Sequence, residues 1–276
     1  MLDISTVDWS AFRRRAIAST IVIIRMKLIW LGLLFFSLPS FAADKLSIAA
    51  AANLVYAVDA LNSEFKKLEP GTDVVVVTGA SGSLVAQIKN GAPFDLFLAA
   101  DVEYPRQLIK LGAADASTFT KFAIGRLVIW TMRPELKLDS IEAVVRDPGV
   151  RKIAIANPHT APYGKAAHEA LTRLEVWADA ESKIVVGENI TQTAQFVETG
   201  NADVGFVAMS LMRSPTIKER GYWREVPADL YAPIEQGAVV TNHGAANAAA
   251  KRYLAFLGSP EARAVFARFG YRSPQN

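Results

Sequence analysis

Apolar residues recur along this chain in two rhythms. Short continuous runs at 46–51, 74–77, 96–99, 126–130, 152–156, 183–186, 203–207 and 236–241 have the length and composition of buried strands. Between them the spacing changes to three and four. Leu54, Val58, Leu61, Phe65 and Leu68 predict an amphipathic helix stopped by Pro70-Gly71, with Asn53 where an N-cap belongs. Shorter helical patterns follow at 84–88, from Asp101 through Leu108, at 141–146, from Gly164 to about Leu174, and after Thr193 to about Thr199. Two helices close the chain, 245–257 and, capped by Ser259-Pro260, 261–268. Strands and helices alternate throughout, which predicts an α/β fold with mostly parallel sheets. The four consecutive valines at 74–77 suit a strand buried on both faces.

One event repeats: a short strand, a loop of small polar residues, then a helix. It follows Ala51, Val77, Ala156, Val186 and Val207. The loop Thr78-Gly79-Ala80-Ser81-Gly82-Ser83 illustrates its chemistry. A turn at the carboxyl end of a parallel strand lies where open α/β sheets bind ligands. It offers backbone N–H groups, hydroxyls and no bulk, which together make a seat for an anion. Taken alone, the loop is equally well read as a plain helix cap. A phosphate-binding P-loop would need a Lys after Gly82, and a nucleophile elbow would need Gly where Ser83 stands.

The first 42 residues read as a leader outside the fold. Arg13-Arg14-Arg15 and Met26-Lys27 precede an apolar run at 28–36, and Ser40-Phe41-Ala42 supplies small residues for cleavage after Ala42. The run is too short to span a bilayer, which needs about 20 residues. Met26-Lys27 alone is an adequate signal start, so Met1 and Met26 are both candidate start sites. The leader holds five of the 30 basic and two of the 27 acidic residues, so the remainder is balanced at 25 of each. No basic stripe invites nucleic acid or an anionic membrane. The absence of cysteine excludes disulfides, a thiol nucleophile and lipid attachment at cysteine.

Little in the sequence suggests catalysis. The three histidines, His159, His168 and His243, lack metal-ligand spacing, and His168-Glu169 reads as a surface pair. Asp95 and Asp101 flank a strand and suit turn and capping roles; Trp177 and Tyr222-Trp223 suit packing. This inventory is poor for an enzyme and good for a binding protein.

The loops taken together are similar to a known family. Ala49-Ala50-Ala51-Ala52-Asn53-Leu54, Gly79 through Leu84, Gly91-Ala92-Pro93-Phe94-Asp95 through Asp101, Asn157-Pro158 through Pro162-Tyr163-Gly164, and Gly187-Glu188-Asn189-Ile190 resemble the periplasmic molybdate-binding proteins of ABC importers. The likeness runs from about Leu46 to Tyr271. It implies a two-lobed periplasmic binding protein (class II type), each lobe a mostly parallel sheet flanked by helices, with the oxyanion in the inter-lobe cleft. The implied ligand contacts are Asn53, Ser81, Tyr163 and the backbone N–H of Ile190. Two positions depart from the commonest pattern: Asn53 replaces a Ser, and Ala208 stands where a ligand-binding Tyr is frequent. Molybdenum enters as the bound oxyanion, molybdate or tungstate, with no cofactor and no direct metal ligand. The implied partner is an ABC permease, with no nucleic acid, and the protein itself a monomer in the periplasm. Sulfate or thiosulfate is the rival ligand. A secreted hydrolase with Ser81 or Ser83 as nucleophile, or a regulator's effector domain, is the rival class. Lobe one is expected over 44–122 plus 235–276 and lobe two over 123–234. By mass spectrometry the mature N-terminus should fall within a residue or two of Ala43; a mature chain retaining residues 28–36 would contradict the leader.

Overall fold

The computed structural model describes residues 44–274 apart from 218. The leader, its cleavage after Ala42 and the start sites Met1 and Met26 lie outside the described residues. Within them, β1 (Asp44–Ala51) pairs in parallel with β2 (Thr72–Gly79) along its whole length, and with β3 (Leu96–Ala99) on its other side. Antiparallel β10 (Ile234–Val240) joins β3, and β4 (Thr120–Gly125) joins β10, giving the order β2-β1-β3-β10-β4. A second sheet has the order β7-β6-β8-β5-β9, from β5 (Leu127–Thr131), β6 (Ile153–Ala156), β7 (Ile184–Gly187), β8 (Val204–Ala208) and β9 (Tyr222–Glu225). Here β6 is parallel to β7 and β8, while β5 is antiparallel to β8 and β9. The fold is thus α/β and two-lobed, and each sheet is mixed. The antiparallel pairings arise where the chain passes from one sheet to the other, where no βαβ crossover sets the direction.

Alternate residues of β1 face different cores. Ile48 and Ala50 pack with Leu61 and Phe65 of α1 (Val55–Leu68) and with Tyr253 and Phe256 of α9 (Ala248–Phe256), the Phe65 ring lying 4.8 Å from Tyr253 and 5.4 Å from Phe256. Ala49, with Phe97 of β3, packs on Leu84 and Ile88 of α2 (Ser81–Lys89) and Leu108 of α3 (Glu103–Lys110). In the second sheet, α5 (Pro162–Arg173) and α7 (Ile190–Glu198) cover β6 and β8. Helix α4 (Ile141–Arg146) begins as expected, with the Ser140 hydroxyl accepting from the Ala143 N–H at 3.1 Å.

The valine run departs from expectation. β2 is an edge strand, and Val75 and Val77 are 41% and 42% exposed while Val74 and Val76 turn toward the core. A run apolar at every position carries no alternation, so it cannot reveal that one face is open. Two strands were also missed. β4 carries Thr120 and Lys121 and reads as a polar stretch, and β9 carries Arg224 and Glu225 on an edge.

The chain leaves the first sheet after Gly125, enters the second at Leu127, leaves it after Glu225 and returns at Ile234. The two passages are tied together. Arg126 Nε meets Glu225 at 2.6 Å, and Arg272, near the chain's end, meets the same carboxylate at 3.1 Å. Buried aromatic packing, not such half-exposed pairs, carries most of the stability. Phe65→Ala should cost about 3–5 kcal/mol and lower the melting midpoint by several degrees, whereas Val77→Thr on the open face should shift it little; calorimetric melting checks both.

Candidate functional site

Register brings the first two candidates together. Because Ala51 lies opposite Gly79 at the ends of β1 and β2, the chains leave the sheet side by side, and the residues two positions beyond are Asn53 and Ser81. Asn53 sits inside a tight turn, Ala52–Leu54, not at the cap position expected of it; Ala51 holds that position. Its side chain is instead drawn inward by Gln236 and Tyr271. Ala80, not a serine, precedes α2 as its cap.

The second sheet supplies the other two. Ala156 of β6 lies opposite Gly187 of β7, so α5 and α7 start near each other. Tyr163 is in the first turn of α5, and Gly164 lets that turn lie on the strand end, since a Cβ there would stand 2.0 Å from the Ala156 carbonyl oxygen. In α7 the Asn189 side chain accepts from the Thr191 and Gln192 N–H groups at 3.0 and 3.1 Å. The Ile190 N–H is the first-turn donor that this cap leaves unused.

All four candidates line one tight cavity of about 10 Å³, barely room for a water molecule. Its other walls are small residues such as Ala52, Gly79, Ala100 and Pro162, and among the described residues none that lines it is charged or a histidine. A larger groove elsewhere, between Tyr56, Arg213 and Arg268, has no converging strand ends. Hydrogen bonds close the cavity from both sides: Gly82 N–H to Thr160 O at 2.9 Å, Thr191 Oγ1 to Ala52 O at 3.2 Å, and Ser210 Oγ to Asn53 O at 2.7 Å.

The polar atoms divide into spent and unspent. Ser81 Oγ accepts from the Ala100 N–H at 3.0 Å, so its own proton remains to be donated. Asn53 Nδ2 spends its hydrogens on Gln236 Oε1 at 2.9 Å and the Tyr271 hydroxyl at 2.8 Å, and Tyr271 returns its proton to Asn53 O at 2.9 Å. Asn53 Oδ1 and the Tyr163 hydroxyl are buried without a hydrogen-bond partner among the described residues. The Tyr163 hydroxyl lies directly over Gly125, at the passage between the sheets, where a Cβ would approach it to 2.1 Å. Burial pushes this hydroxyl well above its ordinary value near 10, with Tyr271 and Tyr231 adding to the rise. The Asn53 side chain opposes the shift, though no bond of normal geometry joins the two. The phenol is therefore a neutral donor.

The remaining candidates lie elsewhere. His168 packs edge-on against Trp177 at 4.2 Å, and Asp101 Oδ1 caps the Glu103 N–H at 2.9 Å. Asp95 is buried and accepts from the Ser47 N–H at 2.7 Å, tying strands rather than facing the cavity. Ser81 has no histidine among its cavity neighbours to act as a base. Ala208 is buried at the end of β8 opposite Leu127 and does not line the cavity. Gln236 and Tyr271 escaped sequence reasoning. The one available signal was a glutamine opening an otherwise apolar strand.

Two α/β sheets joined by two passages, with strand ends and helix starts converging on an uncharged cavity, define a two-lobed solute-binding protein. The chain belongs to the family of bacterial extracellular solute-binding proteins, whose profile matches residues 46–272. This is a family of binding proteins, not of enzymes. The molybdate-binding protein ModA of Rhodobacter capsulatus is 41% identical over 236 residues, covering 85% of this chain and 90% of that protein. ModA of Azotobacter vinelandii is 39% identical over 229 residues, covering 83% and 90%. The solved Azotobacter vinelandii periplasmic molybdate-binding protein superposes with a TM-score of 0.78 at 35% identity, covering 83% of this chain and 100% of that one. The sulfate-binding protein SubI of Mycobacterium tuberculosis, with TM-score 0.70 at 15% identity over 83% of this chain and 86% of its own, shares the fold.

Burial raises Tyr163, Tyr253 and Tyr271 in the folded state above the value near 10 that they have when exposed. Their contribution to stability is therefore complete below pH about 10 and is lost as pH rises beyond it. In an alkaline titration followed at the tyrosinate absorbance, these three should ionise only together with unfolding; early ionisation of all seven tyrosines would contradict their burial.

Proposed function

We propose that the protein captures molybdate, and tungstate with it, in the cavity between the lobes and delivers it to an ABC permease. The observation that carries this reading is the gathering of Asn53, Ser81, Tyr163 and Ile190, from four separate loops, around one uncharged cavity. The relatives named for molybdate binding, at 39% and 41% identity, support the same ligand. A tetrahedral dianion offers four oxygens that accept hydrogen bonds and no proton to give. The Ser81 and Tyr163 hydroxyls, the Ile190 N–H and the first-turn N–H groups beside Asn53 are neutral donors suited to it, and the starts of α2, α5 and α7 add partial positive charge. A site without a formal cation also leaves no uncompensated charge behind when the anion departs.

The lobes in this reading are 44–122 plus 235–276 and 123–234, and the change of sheet after Gly125 and before Ile234 supports bounds close to these. The protein acts as a monomer in the periplasm after losing its leader at Ala42, and takes no nucleic acid. Binding by this site is tested by calorimetric titration with molybdate, tungstate and sulfate. The first two should bind, and sulfate, being smaller, more weakly. Tyr163→Phe removes one hydroxyl from the ligand's reach at a cost of about 1.5–3 kcal/mol, about ten- to a hundredfold in affinity. Since that hydroxyl has no hydrogen-bond partner among the described residues, the unliganded melting midpoint should not fall. Ser81→Ala should weaken binding similarly. Parental affinity in both variants would sink the assignment of the site.

A further inference from the structure

Gln236 is fully buried, does not line the cavity, and yet is joined to both candidate contacts of the first lobe. Its Nε2 donates to the carbonyls of Ala100 and Ile234, each at 3.2 Å, so both of its hydrogens are spent. The amide can then turn only Oε1 toward Asn53, whose Nδ2 donates to it at 2.9 Å. The backbone of Ala100, at the end of β3, links Gln236 to the second contact. Its carbonyl receives Gln236, and its N–H donates to Ser81 Oγ at 3.0 Å. A side chain buried in β10, at the chain's return to the first sheet, thereby fixes where two loops from β1 and β2 stand.

The strand is built to aim it. Gln236 faces Ala123 of β4 but Gly237 faces Lys121, so β4 carries an extra residue, Phe122, opposite this step. Such a bulge bends the ladder and redirects side chains beside sites. Gly237 leaves room for the approach of Val102, whose Cα would stand 3.2 Å from a Cβ there.

We propose that Gln236 is a positioning residue for anion binding, which holds the Asn53 turn directly and the Ser81 hydroxyl through the backbone of Ala100, without touching the ligand. The proposal rests on the reading of the cavity as the molybdate site. It distinguishes Gln236 from the other buried polar residues of β10's neighbourhood, because the network ends on the side chains of two residues that line one cavity and not on the backbone alone. Tyr271 closes the same network from the chain's end, giving and receiving a hydrogen bond with Asn53.

The test is a thermodynamic cycle read by molybdate titration and by melting without ligand. Gln236→Met keeps the length of the side chain and removes its polar group. It should lower affinity about tenfold in the parent protein, but less than about twofold in the Asn53→Ala/Ser81→Ala background, because the groups it positions are then gone. An equal loss in both backgrounds would mean that Gln236 supports the fold and nothing more, and would overturn the proposal alone. Ser81→Ala and Tyr163→Phe at parental affinity would overturn the reading of the site and this proposal with it. A second measurement needs no variant. In the parent protein the Gln236 side-chain amide protons should exchange slowly with solvent both with and without molybdate; exchange at the rate of an exposed glutamine in either state would also overturn it.

Discussion

An anion taken out of water has to meet a donor at each oxygen, and in the proposed reading this cavity would meet it without a formal positive charge among the described residues. That constraint shapes the rest of the molecule. Neutral donors are weak one at a time, so several must converge, and backbone N–H groups converge only where strands end and helices begin. Parallel strands in register provide this geometry: Ala51 beside Gly79 in one sheet and Ala156 beside Gly187 in the other. In the proposed site the small residues after each strand end would let the anion reach the backbone, where a larger side chain would hold it away. In the same reading two sheets serve one ligand, because one set of strand ends would surround only one side of a tetrahedral anion.

The polar network behind the cavity answers a second demand. Loops of alanine, glycine and serine have little side chain with which to fix themselves. Asn53 is held by Gln236 and Tyr271, and its carbonyl receives Ser210 from the opposite lobe. Ser81 is held by the Ala100 peptide. The first lobe's donors are therefore anchored from strand β10 and from the chain's end, the last segments to join that lobe. Tyr163 differs, since its hydroxyl rests on Gly125 at the passage between sheets and finds no hydrogen-bond partner among the described residues.

Much of this was legible in the residues. The strand–loop–helix alternation revealed the α/β class, and the loop motifs pointed to four residues that do share one cavity. The Ser259 cap stood where expected, and the helix over 141–146 began where its pattern placed it. What escaped had physical causes. The valines at 74–77 are apolar on both faces, so their pattern could not disclose an edge strand. β4 and β9 carry polar side chains because they lie at sheet edges, and a strand with a solvated side loses its hydrophobic signature. Asn53 looks like a cap because asparagine often is one; its inward turn depends on Gln236 and Tyr271, which lie 183 and 218 residues away along the chain. Contacts at such separation leave no trace in local spacing.

The order of strands in the first sheet also bears on how the chain comes together. β4 touches that sheet only through β10, which is made more than a hundred residues later. All five strands of the second sheet lie in one unbroken stretch between them. Until β10 arrives, β4 has no neighbour, Asn53 has no glutamine to hold it, and the helices that cover β1 from the chain's end are absent. The second lobe can close on local information alone, whereas the first waits for the last part of the chain to emerge. The Asn53 turn is accordingly completed last, so a chain cut short before β10 would keep every strand of the second sheet but leave Asn53 without Gln236 and Tyr271 to hold its side chain.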